Sequence, residues 1–331
     1  TSAGGALSAL LGASGNSQDY LPYLKEIGAA DTRDDIFAVS AYCPITNLEN
    51  ADSAYEWMYN GVNSYSRMEF TRNTSAQEYN DRSLTQTVQG NLTNDEINIS
   101  NKLKTLFPIY LNSLKLTDDG GNLLTLDKSG NGSFKTYLSI IIRNSANRAL
   151  REGKDISQFK KAFTIENNKV VAVNLDIYTH IGDRMKSPPA FDSLDVSSGE
   201  NNLFGDKKSD SKHFTKFSFD INNKAAIDYF RNGKFNDKNN KISVPKMADK
   251  NIIKMMNPMY YIDSNTSTKY WRIRHGAIDK DTSLAIPAIL ALKLKNSGKV
   301  VDFASPWGQG HGGDYDLEEL FNWIDGVVKN N

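Results

Sequence analysis

Tyr270-Trp271-Arg272-Ile273-Arg274, a helix-forming run over residues 283–295 that stops at Gly298, and Val300-Val301-Asp302-Phe303 read in succession as strand, helix and strand. Connections this short bring the chain back in the same direction, so the two strands should pair in parallel. A last helix is expected over residues 317–328. Upstream, Ile36-Phe37-Ala38-Val39-Ser40-Ala41-Tyr42-Cys43 is entered from the charged Asp31-Thr32-Arg33-Asp34-Asp35 and stopped by Pro44, the pattern of a strand buried on both faces. The expected class is α/β: a mostly parallel sheet with helices on both faces.

Between these blocks the chain changes character. Residues 46–257 are polar, Asn-rich and studded with aromatics, with helical stretches at 94–114 and 138–151. They read as an inserted lid or cap, leaving residues 1–45 and 258–331 as the core. Within the insertion, Leu114-Lys115-Leu116 and Leu123-Leu124-Thr125-Leu126 flank Asp118-Asp119-Gly120-Gly121, which predicts a β-hairpin. Residues 201–216 and 232–250 read as long surface loops.

Composition narrows the function. The 331 residues carry 39 basic and 39 acidic side chains, so no bulk charge argues for nucleic acid or an anionic membrane as partner. No apolar run approaches the roughly 20 residues that span a bilayer. Cys43 is the only cysteine, which excludes an internal disulfide and a Cys-rich metal site and leaves the compartment undecided.

Three short motifs carry chemistry. Ser2-Ala3-Gly4, followed by the helix former Ala6-Leu7-Ser8-Ala9-Leu10-Leu11, matches the second half of a G-x-S-x-G nucleophile elbow, whose glycines let the chain turn sharply and leave the serine exposed. Arg274-His275-Gly276-Ala277-Ile278-Asp279, with Pro287 beyond, places an acid just after a strand. Gly308-Gln309-Gly310-His311-Gly312-Gly313 places a histidine on a Gly-flanked loop after the next strand. The order Ser, Asp, His is that of the α/β-hydrolases. Ser2 is thus the candidate nucleophile, His311 its base and Asp279 the orienting acid, with the Ala3 N–H as one oxyanion donor. This chemistry needs no cofactor. Because the sequence opens inside the elbow, a further N-terminal segment, in the same protein or on another chain, is expected to complete the sheet.

Other readings of these residues compete. Asp279, Asp281 or Thr282 could cap the helix near Ser283. His275 is a second candidate base, though its place at a strand end suits a hydrogen-bonded core histidine. His180 and His213 read as surface or packing residues. Asp279, Asp281 and His275 lack the second ligand cluster of a metal site. Asp127-Lys128-Ser129-Gly130-Asn131-Gly132 begins like a calcium loop, but Leu138 stands where a bidentate glutamate belongs, which favours a turn.

Three passages together resemble the bacterial tannases, α/β-hydrolase serine esterases that cleave gallate esters. They are Thr1-Ser2-Ala3-Gly4-Gly5-Ala6-Leu7-Ser8, the block from Arg272 to Pro287 with its Asp279-Lys280-Asp281, and Gly310-His311-Gly312-Gly313. The resemblance implies a Ser2, Asp279 and His311 triad and a small phenolic ester as substrate. It also implies that ring hydroxyls are held by Lys186, in Lys186-Ser187-Pro188-Pro189, by Glu200, in Ser198-Gly199-Glu200-Asn201, and by Asp281. A lysine and two carboxylates suit a trihydroxylated ring, which offers donors and acceptors along one edge. The alternatives are a feruloyl or other carboxylesterase with the same triad, an N-terminal-nucleophile hydrolase using Thr1, and a catalytically inactive binding protein.

Overall fold

The computed structural model describes residues 2–329 except 70, 72, 79, 80, 82 and 232–245. Thr1, and with it the N-terminal-nucleophile reading, lies outside them, as does most of the loop expected at 232–250. The helices α1 (Ala3–Ser14) and α2 (Leu21–Glu26) precede strand β1 (Ala38–Tyr42). Then come α3 (Leu48–Tyr59), β2 (Ser64–Glu69), β3 (Gln86–Asn91), α4 (Asn94–Leu114) and α5 (Ser133–Arg151). They are followed by β4 (Phe163–Glu166), β5 (Lys169–Val173), α6 (Leu175–Thr179), α7 (Gly199–Leu203), α8 (Lys216–Arg231) and α9 (Lys250–Met255). The chain ends with β6 (Tyr270–Arg274), α10 (Ala285–Asn296), β7 (Val300–Ala304) and α11 (Leu317–Lys329).

β1, β6 and β7 form a parallel sheet in that order, with Ala38 opposite Tyr270 and Tyr270 opposite Val300. The middle strand is buried at every position, which is why it reads as a continuous run rather than an alternation. Its inner face joins Trp271 and Ile273 to Val39 and Ala41 of β1 and to Leu290, Ala291 and Leu294 of α10. Its other face carries Arg272 and Arg274, tolerated there because both guanidiniums pair with Asp316 and Arg274 also forks onto Asp302 at 3.0 and 2.8 Å. Residues 285–292 of α10 are all buried, as expected of a helix apolar on every side.

α1 crosses β1 on Gly5, Ala9, Gly12 and Ala13, all buried. A Cβ at Gly5 would run into the Tyr42 carbonyl oxygen, and one at Gly12 into Val39. Small residues here let the helix lie directly on the strand. Gly5→Ala should therefore lower stability by ~1–2 kcal/mol, because forcing the helix off the sheet outweighs the gain in helix propensity. Urea unfolding reads the change, and an unchanged midpoint would mean α1 can shift freely.

The long segment between β1 and β6 builds a core of its own against α10, with the partly buried Phe303 of β7 at its border. Tyr55, Phe107, Phe134, Leu138, Ile142, Tyr178 and Phe191 pack in the same cluster as Leu284 to Ile289 of α10. Several expectations need correction. The hairpin at 114–126 is a loop with a single bridge, Thr117 to Leu123, because Asp118 closes an Asx turn onto Gly120 and Asn122 instead of a two-strand ladder. Residues 201–216 are not surface throughout: Asn201, His213 and Phe214 are buried. α5 begins at Ser133, before the expected 138, and α10 begins at Ala285 with Leu284 at its N-cap, so neither Asp281 nor Thr282 caps it. The Asp127 carboxylate accepts from Ser129 N, Ser129 Oγ and Asn131 N at 2.8, 2.6 and 3.0 Å, so that stretch is a turn held by its own hydrogen bonds.

Candidate active site

The candidate residues follow the carboxyl ends of the three parallel strands: Ser2 beside Pro44 past β1, Asp279 past β6 and His311 past β7. Ser2 is joined to Pro44, just past β1, by a parallel bridge and stands immediately before α1 with φ 49° and ψ −111°. A positive φ at a non-glycine residue is strained, and it occurs here immediately before α1 at a serine that is only half-buried. Ala3 opens α1, where first-turn N–H groups have no intrahelical acceptor.

Asp279 lies in the turn after β6. Its Oδ2 is 2.8 Å from His311 Nδ1, and its Oδ1 accepts the Asp281 N–H at 2.8 Å. Burial opposes ionisation of Asp279, but the His275 ring, the His311 hydrogen bond and the Asp281 N–H outweigh it and lower its pKa. Burial likewise opposes charge on His311. The Asp279 hydrogen bond, the Cys43 sulfur and the charges of Asp279 and Asp281 win, raising its pKa above the ordinary imidazole range. The pair is thus a buried carboxylate fixing an imidazole that remains 17% exposed.

His275 is in the core, but not as the hydrogen-bonded residue expected. Neither ring nitrogen has a hydrogen-bond partner, and Nδ1 stands 3.5 Å from Asp279 Oδ2. Burial lowers its pKa against the opposing charge of Asp279. His180 is exposed. His213 has an acid partner that sequence spacing did not reveal: its Nδ1 lies 2.7 Å from Asp192 in a fully buried pair.

Of the three residues expected to hold ring hydroxyls, Asp281 and Lys186 lie within electrostatic reach of one another. Asp281 is half-buried, and burial raises its pKa against the opposing charges of His311 and Lys186. Lys186 Nζ lies 5.2 Å from the centre of the Phe191 ring. Glu200 stands half-buried in the first turn of α7, with no hydrogen bond or ion pair to another described residue.

Cys43 is the residue that sequence reasoning used only for counting. Its buried thiol donates weakly to the carbonyls of Gly310 and Gly312, at 3.8 and 3.5 Å, and so grips both flanks of His311. Its position, ending an apolar run before Pro44, is the one signal that could have flagged it. Cys43, Asp279 and His311 also present donor atoms within 4.8 Å of one another, the set among the described residues that could take a metal ion. It is not the Asp279, Asp281 and His275 set weighed from sequence. Farther along the loop, Asp316 is anchored to Arg272, Arg274 and the Tyr42 hydroxyl, so the segment bearing His311 is tied down on both sides.

The chain is 93% identical to the tannase of Fusobacterium nucleatum, whose crystal structure matches 99% of this chain and 66% of that one with a TM-score of 0.91. It belongs to the tannase family. Tannase from Lactobacillus plantarum is 45% identical, with a TM-score of 0.87 over 99% of this chain and 65% of that one. A tannin acyl hydrolase in complex with ethyl gallate is also 45% identical, with a TM-score of 0.84 over 99% of this chain and 64% of that one. This tannase-family chain therefore spans just under two thirds of the length of those relatives. No protein-family model and no curated protein matches it. Among the described residues no helix is long and apolar enough to cross a membrane.

Proposed function

We propose that the protein is a serine esterase that hydrolyses gallate esters through an acyl-enzyme. The observation that carries this reading is the buried Asp279 carboxylate, 2.8 Å from His311 Nδ1, at the strand ends where Ser2 occupies its strained turn. Ser2 Oγ attacks the ester carbonyl and His311 takes its proton. Asp279 holds the ring and stabilises its charged form. The tetrahedral oxyanion is met by the Ala3 N–H at the start of α1. Collapse breaks the ester C–O bond, His311 returns the proton to the departing alcohol, and water repeats the cycle to release the acid and restore Ser2.

In this reading the sheet is part of an α/β-hydrolase fold, residues 46–257 form a lid over the site, and further chain pairs with the free edge of β1. That edge is bordered by the exposed apolar Leu7, Leu11, Ile36 and Phe37. On α11, Leu317, Phe321, Ile324 and Val328 form a second exposed stripe. Uncovered apolar surface beside an unpaired strand suits a partner segment, and the relatives carry further chain beyond the 66% and 65% of their length that this one covers.

The substrate class is supported by the relative in complex with ethyl gallate and by the placement of Asp281 where the charges of His311 and Lys186 reach it. Lys186, Glu200 and Asp281 would hold the ring hydroxyls. A feruloyl or simple acyl esterase would share the triad but not this grip, so kcat/KM on methyl gallate, methyl ferulate, methyl benzoate and p-nitrophenyl acetate separates them. Each buried polar group left unpaired by a bare ring costs about 1–3 kcal/mol, so methyl gallate should exceed methyl benzoate by roughly 100-fold or more. Asp281→Ala should shrink that preference while p-nitrophenyl acetate is still cleaved. Equal rates on hydroxylated and bare rings would remove the gallate reading.

A further inference from the structure

α3 presents Asp52, Tyr55, Glu56 and Tyr59 at the spacing i, i+3, i+4, i+7, and all four are buried. A single helix face therefore holds two segments. The first is the turn carrying the acid: Tyr59 Oη donates to the Asp279 carbonyl at 3.2 Å, and Tyr55 Oη to the Lys280 carbonyl at 2.8 Å. The second is the segment carrying Lys186. The same Tyr55 oxygen accepts the N–H groups of Lys186 and Met185 at 3.1 and 3.3 Å. Arg184, paired through both guanidinium nitrogens with Glu56, donates Nε to the Lys186 carbonyl at 2.6 Å. Asp52 accepts the N–H groups of Phe191 and Asp192 at 2.7 and 3.1 Å. Phe191, the ring beneath Lys186 Nζ, meets Tyr55 edge to face with centroids 6.1 Å apart.

Among the described α3 side chains only Tyr55 touches both segments through one atom; a second tie runs from the acid turn itself, where Lys280 Nζ donates to the Ile181 and Asp183 carbonyls at 2.6 and 2.9 Å. We propose that Tyr55 is a positioning residue for substrate selection: its hydroxyl fixes the Lys186 backbone against the Lys280 carbonyl and so sets the spacing between the Lys186 ammonium and the Asp281 carboxylate. The proposal rests on the reading of Lys186 and Asp281 as the grip on the galloyl ring. Without the hydroxyl, the Lys280 carbonyl and the Lys186 N–H lose their shared partner; the Lys280 Nζ bonds still hold residues 181 and 183, so the loosening falls on the Lys186 end of the segment while Asp279 keeps its hydrogen bond to His311. A misplacement of this kind penalises a substrate that needs both sides and spares one that needs neither.

Tyr55→Phe keeps the ring and deletes only the oxygen. In the full-length protein it should raise KM for methyl gallate about tenfold, the scale of one or two lost hydrogen bonds, while kcat/KM on p-nitrophenyl acetate stays within about threefold. Tyr59→Phe, whose hydroxyl reaches only the acid turn, should change both substrates by the same factor and keep their ratio. Phe191→Leu, which removes the ring under Lys186, supplies a second reading expected in the same direction as Tyr55→Phe. Retention of the ratio in Tyr55→Phe, or an equal fall on both substrates, would overturn the proposal. Lys186→Met separates it from its premise. If Lys186→Met keeps the ratio, the galloyl grip fails and the proposal with it; if Lys186→Met loses the ratio and Tyr55→Phe keeps it, the proposal alone fails.

Discussion

Ser2→Ala is expected to lower kcat/KM on methyl gallate by about 10⁴-fold or more, because removing the nucleophile of a triad leaves only binding and oxyanion stabilisation. The fold should barely notice. Ser2 is half-buried, and its structural duties are carried by its backbone: the bridge to Pro44 and the carbonyl that accepts from Ala6 N at 2.8 Å. An unchanged urea midpoint with abolished turnover on both methyl gallate and p-nitrophenyl acetate is therefore the predicted pairing. Activity within tenfold of the parent would assign the nucleophile elsewhere.

Asp279→Asn should cost nearly as much, on the order of 10³–10⁴ in kcat, because an amide in place of the carboxylate no longer fixes the His311 tautomer or stabilises the imidazolium. The pH dependence carries a second signature. His311 acts as base only when neutral, so kcat/KM rises with pH through its pKa, which the structure raises. Removing the Asp279 charge takes away a cause of that rise. The residual activity of Asp279→Asn should thus reach its plateau at lower pH than the parent does. His275→Ala should leave the position of this limb nearly unmoved, since among the described residues His275 makes no hydrogen bond to His311 or Asp279. A limb that shifts in His275→Ala and stays put in Asp279→Asn would reverse the assignment of the base.

The parallel sheet was legible because its signals are local. The alternation of strand, helix and strand over residues 270–304 and the stop at Pro44 need no knowledge of distant partners. Even so, Arg272 and Arg274 are odd residues for a buried strand, and what makes them tolerable is Asp316, more than forty residues away in sequence. The pairing of Asp279 with His311 was legible for the same reason, each residue sitting soon after a strand. What escaped was everything set by tertiary contact. The grip of Cys43 on Gly310 and Gly312 spans the whole crossover from β1 to β7. The His213–Asp192 pair lies inside a stretch whose polar composition suggested a loop, because buried hydrogen bonds satisfy those polar groups without any apolar period in the sequence. Tyr55 reads simply as a core aromatic of an amphipathic helix, and nothing local betrays that its hydroxyl bridges residues 186 and 280. The expected hairpin at 114–126 failed on chemistry that a pattern of apolar residues overlooks, the preference of Asp118 for closing its own turn.

The identity of the nucleophile bears most directly on the whole account. The full-length protein would be titrated with a fluorophosphonate while methyl gallate hydrolysis is followed, and the inactivated enzyme digested and mapped by mass spectrometry. The account predicts one phosphonyl group per chain on the peptide bearing Ser2, with activity falling in proportion to its incorporation and no labelling of Ser2→Ala. Label on Thr1, on Cys43 or on another serine in step with the loss of activity, or full activity with Ser2 quantitatively modified, would contradict it.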